Sequence, residues 1–489
     1  MLYIGVDLGT SAVKLLLMDE NGKIKNIVSK EYPLSFPNPG WSEQNPKDWF
    51  EKSMEGIREL TKDCDKSQVQ GISFGGQMHG LVVLDDEDKV IRPAILWNDG
   101  RTTKETDYLN MVIGKETLSK YTANIAFAGF TAPKILWMKE NEPELFAKIN
   151  KIMLPKDYLA YKLSGTFCTD YSDASGMLLL DVQNKCWSQE MIDICGIREE
   201  QLPKLFESYE VVGSLKQEIA EELGLSKTVK VIAGAGDNAA AVGTGTVGDG
   251  RCNLSLGTSG TIFISSKKFG VDENNALHSF DHADGYYHLM GCMLSAASCN
   301  KWWMDGILQT KEYEKEQENI TKLGENQVFY LPYLMGERSP HNDPLARATF
   351  VGMTMDTTRE EMTQAVLEGV AFGLRDSLEV ARSLGIQIER TKICGGGAKS
   401  SLWKKIIANV MNLKVDVIES EEGPGYGAAI LAAVGCGAYE SVEAATEKLV
   451  KVVDIVEPTQ ELVAKYEERY QKFRKIYPAM KGLFQELAK

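Results

Sequence analysis

The chain has 489 residues, 43% of them hydrophobic and 25% charged, with a net charge of −15. That length exceeds what one hydrophobic core fills and predicts two or three domains of ~150–250 residues. The acidic balance excludes nucleic acid and an anionic membrane surface as main partners; an anionic ligand would need backbone N–H groups, a local lysine or a metal ion.

From the N-terminus, residues 2–8 and 12–18 are apolar runs joined by Gly9-Thr10-Ser11, which predicts a hairpin. Asp19-Glu20-Asn21-Gly22 supplies the next turn. Val69–Phe74 reads as a strand ending at Gly75-Gly76, with another strand over Leu81–Leu84. Helical patterns alternate with short apolar runs from Lys134 to Leu163. Lys230–Ala233 is a strand running into Gly234-Ala235-Gly236-Asp237, and Asn238–Val242 opens a helix.

A glycine-rich stretch, 243–251, then precedes a second hairpin over 252–265, after which long helices are expected. Thr358 and Glu361 form a capping box for a helix carrying Met362, Val366, Val370 and Leu374 on one side. The strand Lys392–Cys394 leads through Gly395-Gly396-Gly397 to a helix from about Ser400. In the tail after Thr459, Leu462, Tyr466, Tyr470, Phe473 and Tyr477 recur at helical spacing and should pack back on the body. The uncharged stretch Gly423–Tyr439 holds five glycines and a proline, so it predicts a turn and a buried helix over Ala428–Val434 in place of a membrane span. Nine scattered cysteines without a C-x-x-C pair, and strand-like sequence from Leu2 in place of a signal peptide, predict a reducing, cytoplasmic setting.

Leu8-Gly9-Thr10-Ser11 returns as Leu256-Gly257-Thr258-Ser259, each between two strand-length apolar runs. The repeat predicts two similar α/β halves, 1–246 and 247–489, hinged at the glycine-rich segment and closing on a ligand between them. A Gly-Thr-Ser turn offers converging N–H groups and hydroxyls, a nest for phosphate; the alternative is an ordinary hairpin turn. Asp7 in the first copy reads as a carboxylate for a metal ion that accompanies the phosphates, acting through water. Ser255 stands in its place with that charge removed. Lys14 is a point charge for the same phosphates.

Gly395–Gly397 allows close approach to a flat or anionic group, or simply makes a tight strand–helix connection. Asp237, among glycines at a helix start, is either a helix cap or a general base for a hydroxyl attacking a γ-phosphoryl group. Gln77-Met78-His79-Gly80 and Trp97-Asn98-Asp99-Gly100-Arg101 supply the mix of donors, acceptors and an aromatic face that a sugar requires; either could also be a structural loop. Two motifs fail on context. Gly243–Gly248 fits G-x-G-x-x-G but precedes a strand, and Ser73 of Gly71–Gly75 lies inside one. The sequence has no G-x-x-x-x-G-K-[ST] and no zinc-like Cys/His spacing.

Taken in order, these segments resemble the FGGY carbohydrate kinases. The match rests on Asp7–Ser11, Gly75–Gly80, Trp97–Arg101, Leu154–Leu159, Gly236–Ala240, Ser255–Gly260, Leu331–Tyr333 with Gly336–Arg338, and Gly395–Ser400 with Trp403. The resemblance runs from Met1 to about Ala438. It implies two ribonuclease-H-like domains of the actin-like ATPase kind, with MgATP and a sugar in the cleft between them.

By that resemblance Asp237 is the catalytic base, and Gln77, Met78, His79, Trp97, Asp99 and Asn238 belong to the sugar site. Gly9, Thr10, Ser11, Lys14, Gly257 and Thr258 line the phosphates of ATP, with Asp7 on the Mg²⁺ side. Gly396, Gly397 and Ser401 lie along the adenosine, with Trp302 as an adenine-side wall. The activity implied is ATP-dependent phosphorylation of a ketopentose, D-xylulose being the substrate expected. The alternatives are a kinase of another ketose or polyol such as ribulose, and a non-catalytic actin-like ATP- or sugar-binding protein. Neither nucleic acid nor membrane is an expected partner, and the oligomeric state is left open, a homodimer included. The chain departs from the family at Ala408-Asn409-Val410-Met411-Asn412, where Ala-Asp-Ile-x-Gly is usual; Asn412 can replace the glycine at a left-handed helix end, while any role for an Asp at 409 is in doubt.

Overall fold

The structure is a computed structural model and describes residues 1–236, 238–419 and 422–488. The apolar runs build two sheets. The first contains β1 (Leu2–Leu8), β2 (Ala12–Asp19), β3 (Ile24–Glu31), β4 (Val69–Gly76), β5 (Val211–Ser214) and β6 (Lys230–Ile232), in the order β5-β6-β4-β1-β2-β3. The second contains β7 (Arg251–Leu256), β8 (Gly260–Ser266), β9 (His278–Asp281), β10 (Tyr287–Met293), β11 (Arg390–Cys394), β12 (Lys414–Ile418) and β13 (Val452–Val456), in the order β9-β10-β8-β7-β11-β12-β13.

The two sheets share a core topology. A meander of three antiparallel strands, β1-β2-β3 or β7-β8-β10, continues through two parallel strands, β4-β6 or β11-β12. This duplicated arrangement is the one expected of two ribonuclease-H-like halves. The halves differ in register at the repeated turn. Leu8 pairs with Val13, but Leu256 pairs with Gly260, so the second turn is one residue tighter.

Helices cover the sheets: α1 (Pro46–Leu60), α2 (Thr131–Asn141), α3 (Pro155–Ser164), α4 (Asn238–Gly243), α5 (Arg359–Ser383), α6 (Ser401–Met411), α7 (Gly423–Gly435), α8 (Gln460–Phe473) and α9 (Ile476–Leu487). The Thr358–Glu361 capping box is formed at the start of α5. Asn412 ends α6 in the left-handed conformation, at φ 52°, and so does the work of the usual glycine. Asn409 ties the tail down, its Oδ1 accepting from Thr459 N at 2.8 Å. Tyr466, Tyr470, Phe473 and Tyr477 are buried in the core of the second half. No helix among the described residues is long and apolar enough to cross a membrane.

The reading of the segment after β8 needs correction. Two further strands, β9 and β10, intervene before any long helix. His278, Ser279, Asp281 and His282 are buried polar residues, so β9 shows no apolar alternation. Several of their polar groups meet the other half of the molecule. Asn124 exchanges hydrogen bonds with Ser279, at 2.8 and 3.1 Å, and Ser175 Oγ accepts from Asp281 N at 2.9 Å.

Helices α4 and α7 join the halves. A Cβ on Gly427 would lie 1.8 Å from Ala239 O, and one on Gly243 would lie 1.9 Å from Gly423 O. A Cβ on Gly5, in the middle of β1, would meet Gly425 O at 2.0 Å. Glycine is required at these positions because main chain packs directly on main chain. The start of α7 is thereby held over the carboxyl ends of β1 and β4, where open α/β sheets bind ligands.

Candidate active site

The first turn is held by side chains. Gly9 N donates to Ala12 O at 3.0 Å, and Gly9 O accepts from the Tyr32 hydroxyl. Gln44 Nε2 donates to Thr10 O at 2.5 Å. Thr10 Oγ1 donates to Gln77 Oε1 at 3.3 Å and accepts from Trp97 Nε1 at 3.0 Å. Ser11 stays exposed. Two sequence-predicted clusters, the turn and the Gln77/Trp97 pair, are thus brought together.

The second turn is held mainly by main chain. Ala297 N donates to Gly257 O at 2.9 Å, Ala296 N to Thr258 O at 3.0 Å, and Ser298 Oγ to Thr258 O at 2.7 Å. Thr258 is exposed. Gly395, at φ +87°, packs against it, since a Cβ there would sit 2.7 Å from Leu256 O. A Cβ on Gly396 would meet nothing within 4 Å, which leaves open space over that turn, whereas Gly397 fits between Leu256 and Trp403. Ser401 is the exposed first residue of α6, whose start is capped by Ser400 Oγ accepting from Trp403 N at 3.1 Å. Trp302 is partly buried and stacks on Tyr330, ring centroids 6.3 Å apart.

Beside the first turn stands the start of α7. Asp7 faces Lys14 across β1–β2, and the Lys14 ammonium pairs with Glu422. A Cβ on Gly425 would lie 3.9 Å from Asp7 Cβ. Among the described residues no group of three or more His, Cys, Asp or Glu is arranged to hold a metal.

The sugar-side residues cluster beyond β4. Met78 is buried, its Cγ 2.7 Å from where a Cβ on Gly236 would stand. His79 adopts φ 68° and lies 2.7 Å, Nδ1 to O, from the Gly176 carbonyl. Burial, reinforced by the charges of Lys134 and Arg338, pushes its pKa down to about 3, so the ring is neutral. A carbonyl can only accept, so Nδ1 carries the proton and Nε2 is left as an acceptor for a ligand hydroxyl. Lys134 Nζ bonds both His79 O, at 2.8 Å, and Gly129 O, at 2.7 Å. It thereby fastens the 127–130 loop beside His79, and Phe130 lies 4.7 Å from the His79 ring.

Trp97 is 48% exposed and forms an open aromatic face. Asp99 is placed differently. It is buried, with Oδ1 accepting from Arg101 N and Nε, both at 2.9 Å, and Oδ2 from Ser42 N at 2.6 Å and Arg101 Nη2 at 2.8 Å. Its carboxylate holds the Trp97 loop from behind. Asn238 is buried and lies 2.9 Å, Oδ1 to Nδ1, from His282, whose Nε2 reaches Thr246 O at 2.8 Å. Asp237 lies outside the described residues; its neighbours Gly236 and Asn238 flank this cluster.

Sequence reasoning missed the support beneath the site. Lys156 is fully buried, 2.7 Å from Asp157, 2.8 Å from Asp170 and 3.7 Å from Asp173. Burial opposes its charge, but the three carboxylates outweigh it and hold the pKa well above the ordinary value. A Cβ on Gly236 would come within 3.0 Å of Asp173 Oδ1, and one on Gly76 within 2.9 Å of Lys156 Cβ. A lysine–aspartate pair inside an apolar segment was the available signal. Tyr32, Gln44 and His282 carried no such signal, because each acts through a partner distant in sequence.

Residues 2–243 match the family model described as the FGGY family of carbohydrate kinases, N-terminal domain, and residues 252–436 match its C-terminal domain. The chain is 39% identical to the xylulose kinase of Bacillus subtilis (strain 168), over 98% of this chain and 97% of that one. Among solved structures it is similar to a "xyloylose kinase" from Brucella ovis, with a TM-score of 0.94, 40% identity and coverage of 99% and 100% of the two chains. It is also similar to gluconate kinase from Lactobacillus acidophilus, with a TM-score of 0.93, 27% identity and 99% coverage of both.

Proposed function

The chain belongs to the FGGY family of carbohydrate kinases, and we propose that it transfers the γ-phosphoryl group of ATP to the terminal 5-hydroxyl of D-xylulose, giving D-xylulose 5-phosphate. The observation that carries this reading is its near full-length similarity to xylulose kinases. A neutral His79 beside a buried Met78, with Trp97 as an aromatic face, suits an uncharged polyhydroxy acceptor.

In this reading the residues up to 246 hold the sugar and those from 247 hold the nucleotide. Met78, His79, Trp97 and Asn238 meet the sugar, with Gln77 and Asp99 fixing their loops. Asp237 takes the proton from the attacking hydroxyl. Gly9, Thr10, Ser11 and Lys14 receive the phosphates from one side and Gly257 and Thr258 from the other, so the chain supplies mainly positioning and charge neutralisation. Gly396, Gly397, Ser401 and Trp302 take the adenosine. Asp7, which among the described residues belongs to no group of three or more metal-ligating side chains, suits a hard cation that keeps most of its water; Mg²⁺, when bound, would neutralise the triphosphate. Closure of the halves excludes water that would otherwise hydrolyse ATP.

The test is ADP release over a panel of ketoses, polyols and aldonic acids. D-xylulose should give the highest kcat/KM. Preference for another acceptor would overturn the substrate assignment, and no sugar-stimulated ATP consumption would overturn the kinase reading. A second reading, gluconate as acceptor, has its own support in the similarity to gluconate kinase.

A further inference from the structure

The Gly336–Arg338 motif has so far no part in the site. Its main chain is rigidly held. Ser339 N donates to Cys292 O at 2.9 Å, and Cys292 N donates to Ser339 Oγ at 3.0 Å. The buried Glu337 carboxylate accepts from Leu294 N at 3.0 Å and Arg338 N at 2.8 Å. Strand β10 and the residues just after it therefore fix where Arg338 points.

Arg338 points into the other half. Its guanidinium carbon lies 4.8 Å from the centre of the Phe127 ring. Phe127 contacts Phe130 at 5.4 Å and His278 at 5.1 Å, and Phe130 contacts His79 at 4.7 Å. The same loop packs on the main chain of Trp97, since a Cβ on Gly129 would stand 2.6 Å from Trp97 O. Arg338 is close enough for its charge to act on both His79 and His278. The residue is partly buried; the Glu337 carboxylate is near enough to feel its charge, but among the described residues no carboxylate or carbonyl forms a hydrogen bond or ion pair with its guanidinium. Every other arginine reaching an aromatic ring in this half of the sugar wall is paired: Arg92 with Glu43 and Glu142, and Arg101 with Glu43 and Asp99.

An arginine fork has five donors in a fixed plane, and an aromatic face satisfies its charge but none of those donors. We propose that Arg338 is a sugar-binding residue contributed by the nucleotide-side half, its guanidinium donating to oxygen atoms of the acceptor held against His79 and Trp97. The proposal deepens the function proposed above and rests on it. It makes acceptor binding a property of both halves, so sugar contacts strengthen as the halves close.

The experiment compares wild type with Arg338→Met, Arg338→Lys and Phe127→Leu, using D-xylulose and ATP. Arg338→Met should raise the sugar KM by roughly 10- to 100-fold, the range for a lost charged hydrogen bond. The KM for ATP and the thermal midpoint should stay near wild type. Arg338→Lys should recover part of the loss, and Phe127→Leu, which keeps the charge but loosens its seat, should lose less than Arg338→Met. Calorimetric titration of D-xylulose into each variant should reproduce the KM order. A sugar KM within twofold of wild type in both arginine variants would overturn the proposal, as would a fall in thermal midpoint with equal loss on sugar and ATP. If wild type itself fails to phosphorylate D-xylulose, the substrate reading has failed; the same variants are then compared on whichever panel sugar it does accept, with the same criteria.

Discussion

The two Leu-Gly-Thr-Ser turns occupy equivalent positions in equivalent sheets, yet they are built for different work. In the first, the residue before Leu8 is Asp7 and its cross-strand partner is Lys14. In the second, where the turn is one residue tighter, Ser255 faces Thr261. A charged pair has become a hydroxyl pair. The supports differ in the same sense. Tyr32, Gln44, Gln77 and Trp97 reach the first turn with side chains and tie it to the sugar wall. The second is held by the main chain of 296–297 and by Ser298, which leaves the Thr258 side chain exposed. Duplication supplied the turn. In the function proposed above, register and the residues on either side make one copy part of the reacting centre and the other a phosphate rest.

If that division is right, the largest effect belongs to the proposed base, Asp237. Asp237→Ala should lower kcat by ~10²–10⁴-fold while D-xylulose still binds by calorimetry. Near wild-type turnover would remove the base assignment. Next comes transplanting the charge. Ser255→Asp gives the second turn the carboxylate of the first and should raise the KM for ATP by roughly 10- to 100-fold through repulsion of phosphate, with the sugar KM unchanged. An unaltered ATP KM would mean the second turn does not carry phosphate.

Lys14→Ala should cost about tenfold in ATP KM, with sugar affinity retained. Trp97→Phe keeps the aromatic face but loses the bond to Thr10, and should weaken sugar KM by about 2- to 10-fold; equal loss on ATP would mean that the bond serves the turn more than the wall. The smallest effect is in pH. A His79 pKa held near 3 means the unfolded chain takes up a proton that the folded one refuses. Its contribution to stability is complete above about 6.5 and declines as pH falls toward 3, so the thermal midpoint of His79→Gln should fall less steeply than that of wild type between pH 7 and 5.

Much of the architecture could be read from the chain. Hairpins 2–19 and 251–266 carry strand-length, mostly apolar runs about Gly-Thr-Ser, and such local patterns need no knowledge of the other half. Strand β9 could not be read, because its buried histidine, serine and aspartate meet groups across the molecule. The site divides the same way. Glycines, His79 and Trp97 announce themselves by type and neighbourhood. The Lys156 cluster depends on aspartates at 157, 170 and 173 converging only after folding, and Asp99 looked like a ligand group until Arg101 was seen to occupy it.

The bare main-chain contact of α4 with α7 has a consequence for engineering. Each helix comes from a different half, and Gly243 and Gly427 leave no room for even one added methyl group. A chimaera that grafts the nucleotide half of one relative onto the sugar half of another will therefore assemble only when its two crossing helices are drawn from a compatible parent. The crossover should be chosen to exchange both helices or neither.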